Sequence, residues 1–188
     1  LSGQVQDGLG NGLPDQNIFL SPPGVGSSIQ VRTDANGNYI FQVAPGDYWF
    51  GLYGYPSEPA AAPRYYNLQT SSIFSLTESI TMNIPLPVYR VSVRVQDPAG
   101  KPVANVGIST NSCWSPDLMI GTLPANGTSY YSDWLTPAVT DASGNVDLWL
   151  FPNGPYFTYT FTATPPPESP FVTFHVYDVI VASHMTMI

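Results

Sequence analysis

One turn, written twice, constrains this chain more than any other stretch. Its first copy is Thr33-Asp34-Ala35-Asn36-Gly37-Asn38-Tyr39 and its second is Thr140-Asp141-Ala142-Ser143-Gly144-Asn145-Val146. In each, the aspartate can accept backbone N–H bonds and set the turn, and the glycine can take the positive φ that closes it. Each copy runs into a short apolar stretch, Tyr39 to Val43 or Val146 to Phe151, which ends in a second turn at Pro45-Gly46 or Pro152-Asn153-Gly154. A tyrosine, Tyr48 or Tyr156, stands two residues beyond each of those glycines. A strand–turn–strand unit is therefore written twice.

The duplication extends backwards. Val5-Gln6-Asp7 returns as Val95-Gln96-Asp97, Gly10 as Gly100, Leu13 as Val103 and Ile18 as Ile108, all at an offset of 90. The Thr-Asp turns recur at 107 and the Gly-x-Tyr turns at 108, so the second copy carries about 17 extra residues between Ser109 and Thr136. This places a first unit at residues 1–85 and a second at 86–188, with an insertion at about 111–135. Pro85-Leu86-Pro87 joins them as a short, stiff link that leaves limited freedom. The first unit closes on the alternating Ile80, Met82 and Ile84 and reads as able to fold alone. Tyr65 to Leu76 is ambiguous. Phe171 to Ala182 reads as a long final strand, apolar on both faces, buried on one side and touched on the other.

Composition agrees with an all-β class. The 20 prolines and 16 glycines imply many turns and short strands, and no stretch keeps apolar residues at the helical period. Hydrophobic residues make up 43%, enough for packed cores, while charged residues make up only 10%. A net charge of −8, with four Arg and one Lys, would be repelled by a phosphate backbone or an anionic membrane surface. No apolar run is long enough to span a bilayer, so neither nucleic acid nor membrane insertion is expected. Without an initiator Met or a leader, the sequence reads as a processed mature form or an excised segment, which points to secretion. Cys113 is the sole cysteine, so no intrachain disulfide forms; it is either a buried, inert thiol or the site of an intermolecular disulfide.

Several of these motifs resemble a known family. Gly3-x-Val5-x-Asp7, Gly10, Leu13-Pro14, Thr33-Asp34-x-x-Gly37-x-Tyr39-x-Phe41 and Pro45-Gly46-x-Tyr48 are similar to the carboxypeptidase regulatory-like domain, which shares a prealbumin-like seven-stranded sandwich with collagen-adhesin B-type repeats. In the second unit the resemblance covers Val93 to Thr110 and Pro137 to Tyr159. It implies two tandem Ig-like (prealbumin-like) antiparallel β-sandwich domains. It says little of function, because such sandwiches serve as stalks, spacers and binding modules. Adhesin-type relatives often carry a Lys–Asn isopeptide bond from an early strand. Here the one lysine, Lys101, lies in a turn, so no such crosslink is expected.

Residues that could carry chemistry are sparse. His175 and His184 have no Ser or Cys motif near them, and Glu58, Glu78 and Glu168 form no facing pair, so an enzyme is not expected. Asp34, Asn36 and Asn38 alternate as hard oxygen ligands could, as do Asp141, Ser143 and Asn145. Two readings stand: a hydrogen-bonded turn, or a weak Ca2+ site at Asp34, Asn36 and Asp141 completed by Asp7 or Asp97. Position twelve, where a helix-loop-helix calcium loop needs a bidentate glutamate, is Pro45 or Pro152. In the insertion, Trp114, Tyr130, Tyr131, Asp133 and Trp134 combine aromatic faces with a carboxylate, as sugar-binding sites do; the alternative is a loop folded back on its own sandwich. Asn126-Gly127-Thr128 is a glycosylation sequon.

The expectation is a non-catalytic extracellular or cell-surface structural module: a stalk, adhesin segment or filament subunit. The alternative is a carbohydrate-binding module using the insertion. The strands are poor in the charges that guard sheet edges, so expected partners are other copies of the chain or neighbouring surface domains, joined by edge pairing through the apolar tail Met185 to Ile188, with glycans as a further class.

Overall fold

The computed structural model describes residues 1–57, 60–132 and 137–188. These form strands and no helix. The first repeat contributes β1 (Ser2–Gln6), β2 (Asn17–Ser21), β3 (Ile29–Arg32), β4 (Asn38–Ile40), β5 (Gly46–Gly54), β6 (Tyr65–Thr70), β7 (Phe74–Leu76) and β8 (Ile84–Pro85). The second contributes β9 (Tyr89–Arg94), β10 (Gly107–Thr110), β11 (Cys113–Ile120), β12 (Leu123–Tyr130), β13 (Ala138–Val139), β14 (Asn145–Leu150), β15 (Tyr159–Thr164), β16 (Phe174–Val179) and β17 (Met185–Met187).

Each repeat is a β-sandwich of the same plan. Sheet β4-β1-β8 lies over sheet β3-β2-β5-β6, and sheet β14-β9-β17 over sheet β13-β10-β15-β16. Even the one parallel pairing is kept: β8 runs beside β1 with Ile84 opposite Val5, and β17 beside β9 with Met185 opposite Val91. Alternation along the strands fills the space between the layers. Val5, Ile18, Leu20, Phe50, Leu52 and Leu68 are buried in the first, and Val91, Ile108, Leu148, Leu150, Tyr159 and Val181 in the second.

The repeated turn occurs four times. Asp7, Asp34, Asp97 and Asp141 each accept with one carboxylate oxygen from the backbone N–H groups two and four residues on, at 2.8–2.9 Å. The glycine three residues on donates back to the aspartate carbonyl in every copy. Gly37 and Gly144 sit at φ 79° and 74°. The turns also stack: the Gly37 carbonyl accepts from Val5 N–H, and the Gly144 carbonyl from Val95 N–H. Thr33 and Thr140 tie them down, each hydroxyl donating to a carbonyl of the earlier loop, Leu13 or Val103.

Asp7 differs from its counterpart Asp97 in also accepting from Ala61 N–H at 3.1 Å, which fastens the turn to the loop near the repeat junction. Burial pushes this carboxyl up, but the N–H bonds from Asn11, Ala61 and Leu9 outweigh it and hold it below its ordinary value of 3.8. A carboxyl lowered in the fold stabilises it at pH above the unfolded value and loses that contribution as pH falls through the folded one. Denaturation midpoints are therefore expected to be flat near neutral pH and to fall below about pH 4. Asp7→Ala should lower the stability by about 2 kcal/mol at pH 7 and flatten the acid limb.

The structure corrects three expectations. The insertion is not a loop: β11 and β12 form a hairpin with a bulge between Ser115 and Leu118, where Asp117 takes φ 58°. Nor does it fold back only on its own sandwich. β12 pairs antiparallel with β6, Ala125 opposite Thr70 through Tyr130 opposite Tyr65, so the larger sheet of the first repeat continues as β6-β12-β11. The expected long, two-sided final strand is shorter, Phe174–Val179, and exposed except at Val179, because no second layer covers it; its pairing with β15 shifts register between Phe161 and Tyr159 and resumes at Val179. The tail is not left free for a neighbour: Met185–Met187 pairs in parallel with β9 of its own chain. The ambiguous Tyr65 to Leu76 resolves into β6 and β7, both paired to β5.

Candidate functional site

The hairpin β11–β12 joins the repeats and carries three of the residues singled out by sequence, Trp114, Asn126 and Tyr130. Alternation along it sends Cys113, Ser115, Leu118 and Ile120, with Ala125, Gly127 and Ser129, to the inner face. Leu118, Ile120 and Ala125 enter the first core, while Cys113 enters the second. Phe151, just past β14, also crosses into the first core, against Tyr66. A buried hydroxyl network anchors this junction. Ser129 Oγ lies 2.7 Å from Tyr159 Oη and accepts from Phe151 N–H, while Tyr159 Oη donates to the Phe151 carbonyl. Tyr131 Oη reaches across the repeats, donating to the Ala62 carbonyl and accepting from Trp149 N–H. Tyr131, read from sequence as a ligand contact, is thus buried and structural.

The outer face of the same sheet gathers aromatics. Tyr130 lies opposite Tyr65 with ring centroids 4.7 Å apart, and Tyr55 lies 5.0 Å from Tyr65 on the other side. Burial raises the Tyr130 hydroxyl above its ordinary value, and the neighbouring phenols of Tyr65 and Tyr55 add to this. Trp114, 38% exposed, lies on the same face one row away, opposite Thr128, which in turn faces Asn67. Its ring meets Phe157 edge-on at 4.7 Å. Asn126, the sequon residue, is opposite Gln69 on this face. Of the sugar-binding set, Trp114 and Tyr130 share a face, Tyr131 points inward, and Asp133 and Trp134 fall outside the described residues. Sequence reasoning missed Tyr55 and Tyr65. The alternation of Tyr65, Asn67 and Gln69 marks an outer strand face, but only the pairing with β12 brings Tyr65 to Tyr130.

Cys113 is 2% exposed. Its thiol donates to the Phe157 carbonyl at 3.3 Å and accepts from Asn153 Nδ2 at 3.7 Å. Burial pushes it up to about 11. A thiol both buried and protonated is a poor nucleophile. Cys113 is therefore expected to stay unreacted with Ellman's reagent at pH 8 in the folded chain and to react fully in guanidinium; rapid reaction in the native state would refute this.

At the turns proposed for calcium, the carboxylates are engaged locally. Asp34 Oδ1 accepts from the Asn36 and Asn38 N–H groups and Oδ2 from Asn38 Nδ2; Asp141 Oδ1 accepts from Ser143 and Asn145. Asn38 is the main cause that holds the Asp34 carboxyl below its ordinary value. Asp34 belongs to the first repeat and Asp141 to the second. Among the described residues, no group of three or more His, Cys, Asp or Glu side chains could hold a metal ion. The histidines are also locally bonded: His175 Nδ1 lies 3.0 Å from the Thr162 hydroxyl, and His184 Nδ1 accepts from Arg90 N–H.

No family model matches the sequence, and no curated protein does so. The resemblance to carboxypeptidase regulatory-like domains therefore stays one of motifs and sandwich plan. Among solved structures, the chain is similar to the shaft pilin SpaA of Lactobacillus rhamnosus GG, in a doubly substituted form, at 12% identity over 99% of this chain and 94% of that one, with a TM-score of 0.42. A candidate adhesin from Bacteroides ovatus matches at 10% identity over 99% and 87%, with a TM-score of 0.40. The Bacillus anthracis TIE protein matches at 14% identity over 99% of this chain, with a TM-score of 0.32; the chain spans 32% of its length.

Proposed function

We propose that the chain is a non-catalytic structural module of an extracellular or cell-surface protein, serving as a stalk, adhesin segment or filament subunit. The hairpin β11–β12 carries this reading: it belongs to the second repeat, hydrogen-bonds to β6 of the first, and supplies side chains to both cores. Two sandwiches joined only by Pro85-Leu86-Pro87 could still pivot. A shared sheet, the Tyr131 bridge and Phe151 seated in the other core remove that freedom. Fixed spacing between its ends is what a spacer must supply. Spin labels at Ile40→Cys and Tyr156→Cys, both exposed sites, are expected to give one narrow distance distribution by pulsed electron resonance. A broad or bimodal distribution would overturn the reading. Cys113, being buried, should remain unlabelled.

The tyrosine row favours a second reading, glycan binding on the outer face. Tyr55, Tyr65 and Tyr130 offer apolar ring faces beside the amide and hydroxyl groups of Asn67 and Thr128, the pairing that holds a sugar ring and its hydroxyls. Glycan-array binding that is lost in the Tyr65→Ala, Tyr130→Ala variant would support it, and an array with no binding would remove it.

A further inference from the structure

The two sandwiches share a plan but not a finish. In the first, β6 is the outermost strand of its own four, and its inner-face residues Tyr66 and Leu68 are 0% exposed. They are covered because β12 continues the sheet and Leu118, Ile120 and Ala125 fill the gap between β6 and the edge strand β8 on the opposite layer. The hairpin tip reaches that edge: a Cβ on Gly121 would stand 2.6 Å from Met82 Cγ, just ahead of β8. In the second sandwich β16 takes the place of β6 and β17 that of β8. Phe174 and Val176 lie opposite Ala163 and Phe161, whose side chains face the second core, and directly opposed residues share a face. Yet Phe174 is 64% and Val176 37% exposed. Between β16 and β17 lies an open trough of about 810 Å³, lined by Val93, Val95, Phe161, Phe174, Val176 and Met187 among others. The outer backbone edge of β16 has no strand beside it among the described residues.

We propose that this trough and edge receive a β-hairpin supplied by another sandwich unit, of the kind β11–β12 supply to the first repeat: one strand pairs with β16, and alternating aliphatic side chains fill the trough. The inference rests on the structural-module reading and names its connection. The occupant follows from the molecule itself. By the repeat's own correspondence, the β6–β12 interface maps onto β16, and what closes that interface in the first repeat is a hairpin from the next sandwich rather than a bare strand. A second copy's own β11–β12 is already spent on its first repeat, so the donor is a further unit of the same type. Addition of a strand to an exposed edge satisfies the unpaired backbone, and pockets for alternate side chains give it selectivity.

The test uses the full chain with residues 112–131, carrying Cys113→Ser, appended to Ile188 through a flexible Gly/Ser linker. Tethering matters because a lone hairpin is marginal in water, whereas a short linker gives millimolar effective concentration. The melting midpoint is expected to rise by several degrees, and the amides of residues 174–179 to exchange with solvent about tenfold more slowly. Phe174→Lys with Val176→Lys should abolish both gains, each read against the untethered chain carrying the same two substitutions, so that any change the lysines make to the chain's own midpoint is subtracted. No gain on tethering, or a gain that survives the double substitution, would overturn the proposal. So would dimers of the unmodified chain that the double substitution dissolves in sedimentation, since these would assign the edge to direct pairing between copies. The spin-label distance within one chain does not depend on any of these outcomes, so the connection can fail while the rigid-spacer reading stands.

Discussion

Residues 1–85 expressed alone are expected to collapse without folding, giving an undispersed amide spectrum and dye-binding apolar surface. Sequence reads this segment as self-sufficient, with its own strands and closing strand. The folded chain shows what it lacks. Leu118, Ile120 and Phe151 are buried in the first core but belong to the second repeat. Burying side chains of that size stabilises by about 1.5–3 kcal/mol each, so their absence removes on the order of 5–9 kcal/mol. A domain of this length has on the order of 4–13 kcal/mol in all. The fragment also bares the edge of β6, where Tyr65–Thr70 otherwise pairs with β12, an open invitation to aggregate. Residues 112–131 joined to the fragment by a flexible linker should restore dispersion. A milder form in the full chain is Leu118→Asp, which should lower stability by about 3 kcal/mol or more by burying an unpaired charge. If the 1–85 fragment folds as a stable monomer, the shared sheet is not what holds the first repeat together.

What was legible in the sequence was local. An aspartate that accepts from the N–H groups two and four residues on writes its turn within five residues, and that chemistry is fully contained in the Thr-Asp-x-x-Gly pattern. The same holds for alternation in β9 and for the 90-residue offset, which places β1 over β9 and β2 over β10. Asp7 and Asp97 were legible as counterparts of each other but not as the same turn as Asp34 and Asp141, because glutamine rather than threonine precedes them and Gly8-Leu9 and Pro98-Ala99 follow them.

What was not legible was long-range. β12 reads Leu123-Pro124-Ala125-Asn126-Gly127-Thr128, and a proline with an Asn-Gly pair signals a turn. Gly127 is there for a different reason: a Cβ would stand 2.3 Å from the Asn67 carbonyl oxygen, so only glycine lets β12 approach β6. That requirement is set by a strand some sixty residues away. The aromatic site was half legible for the same reason: Tyr130 stood out in its own segment, but Tyr55 and Tyr65 join it only across the ladder. The apolar tail was visible, while its partner, β9 of the same sandwich, was not.

Gly37→Ala is expected to cost about 3–4 kcal/mol, and Gly144→Ala about the same, whereas Gly100→Ala should cost only about 1–2 kcal/mol. All three glycines hold the left-handed region, at φ 79°, 74° and 82°, where an L side chain costs roughly 1–2 kcal/mol whatever surrounds it. They differ in what a Cβ would meet. At Gly37 it would stand 2.6 Å from both Leu13 N and Val5 O and 2.8 Å from Gly12 Cα; at Gly144, 2.5 Å from Val95 O. These are backbone atoms of the segments that flank the neighbouring turn, which cannot swing aside as a side-chain end can, so the added methyl must push one turn off the other. Gly100 has nothing within 4 Å. Valine in place of alanine should widen the gap, since its branched side chain adds bulk only where space is lacking. Gly100→Asn should be close to neutral, because asparagine tolerates this conformation. Urea midpoints of the four variants measured under one condition decide it. If Gly37→Ala and Gly100→Ala fall together, the cost lies in the φ angle alone, and the stacking of turn on turn does not hold the sandwich ends. If they separate as argued, two aspartate turns packed backbone to backbone are the fixed point on which each repeat is built.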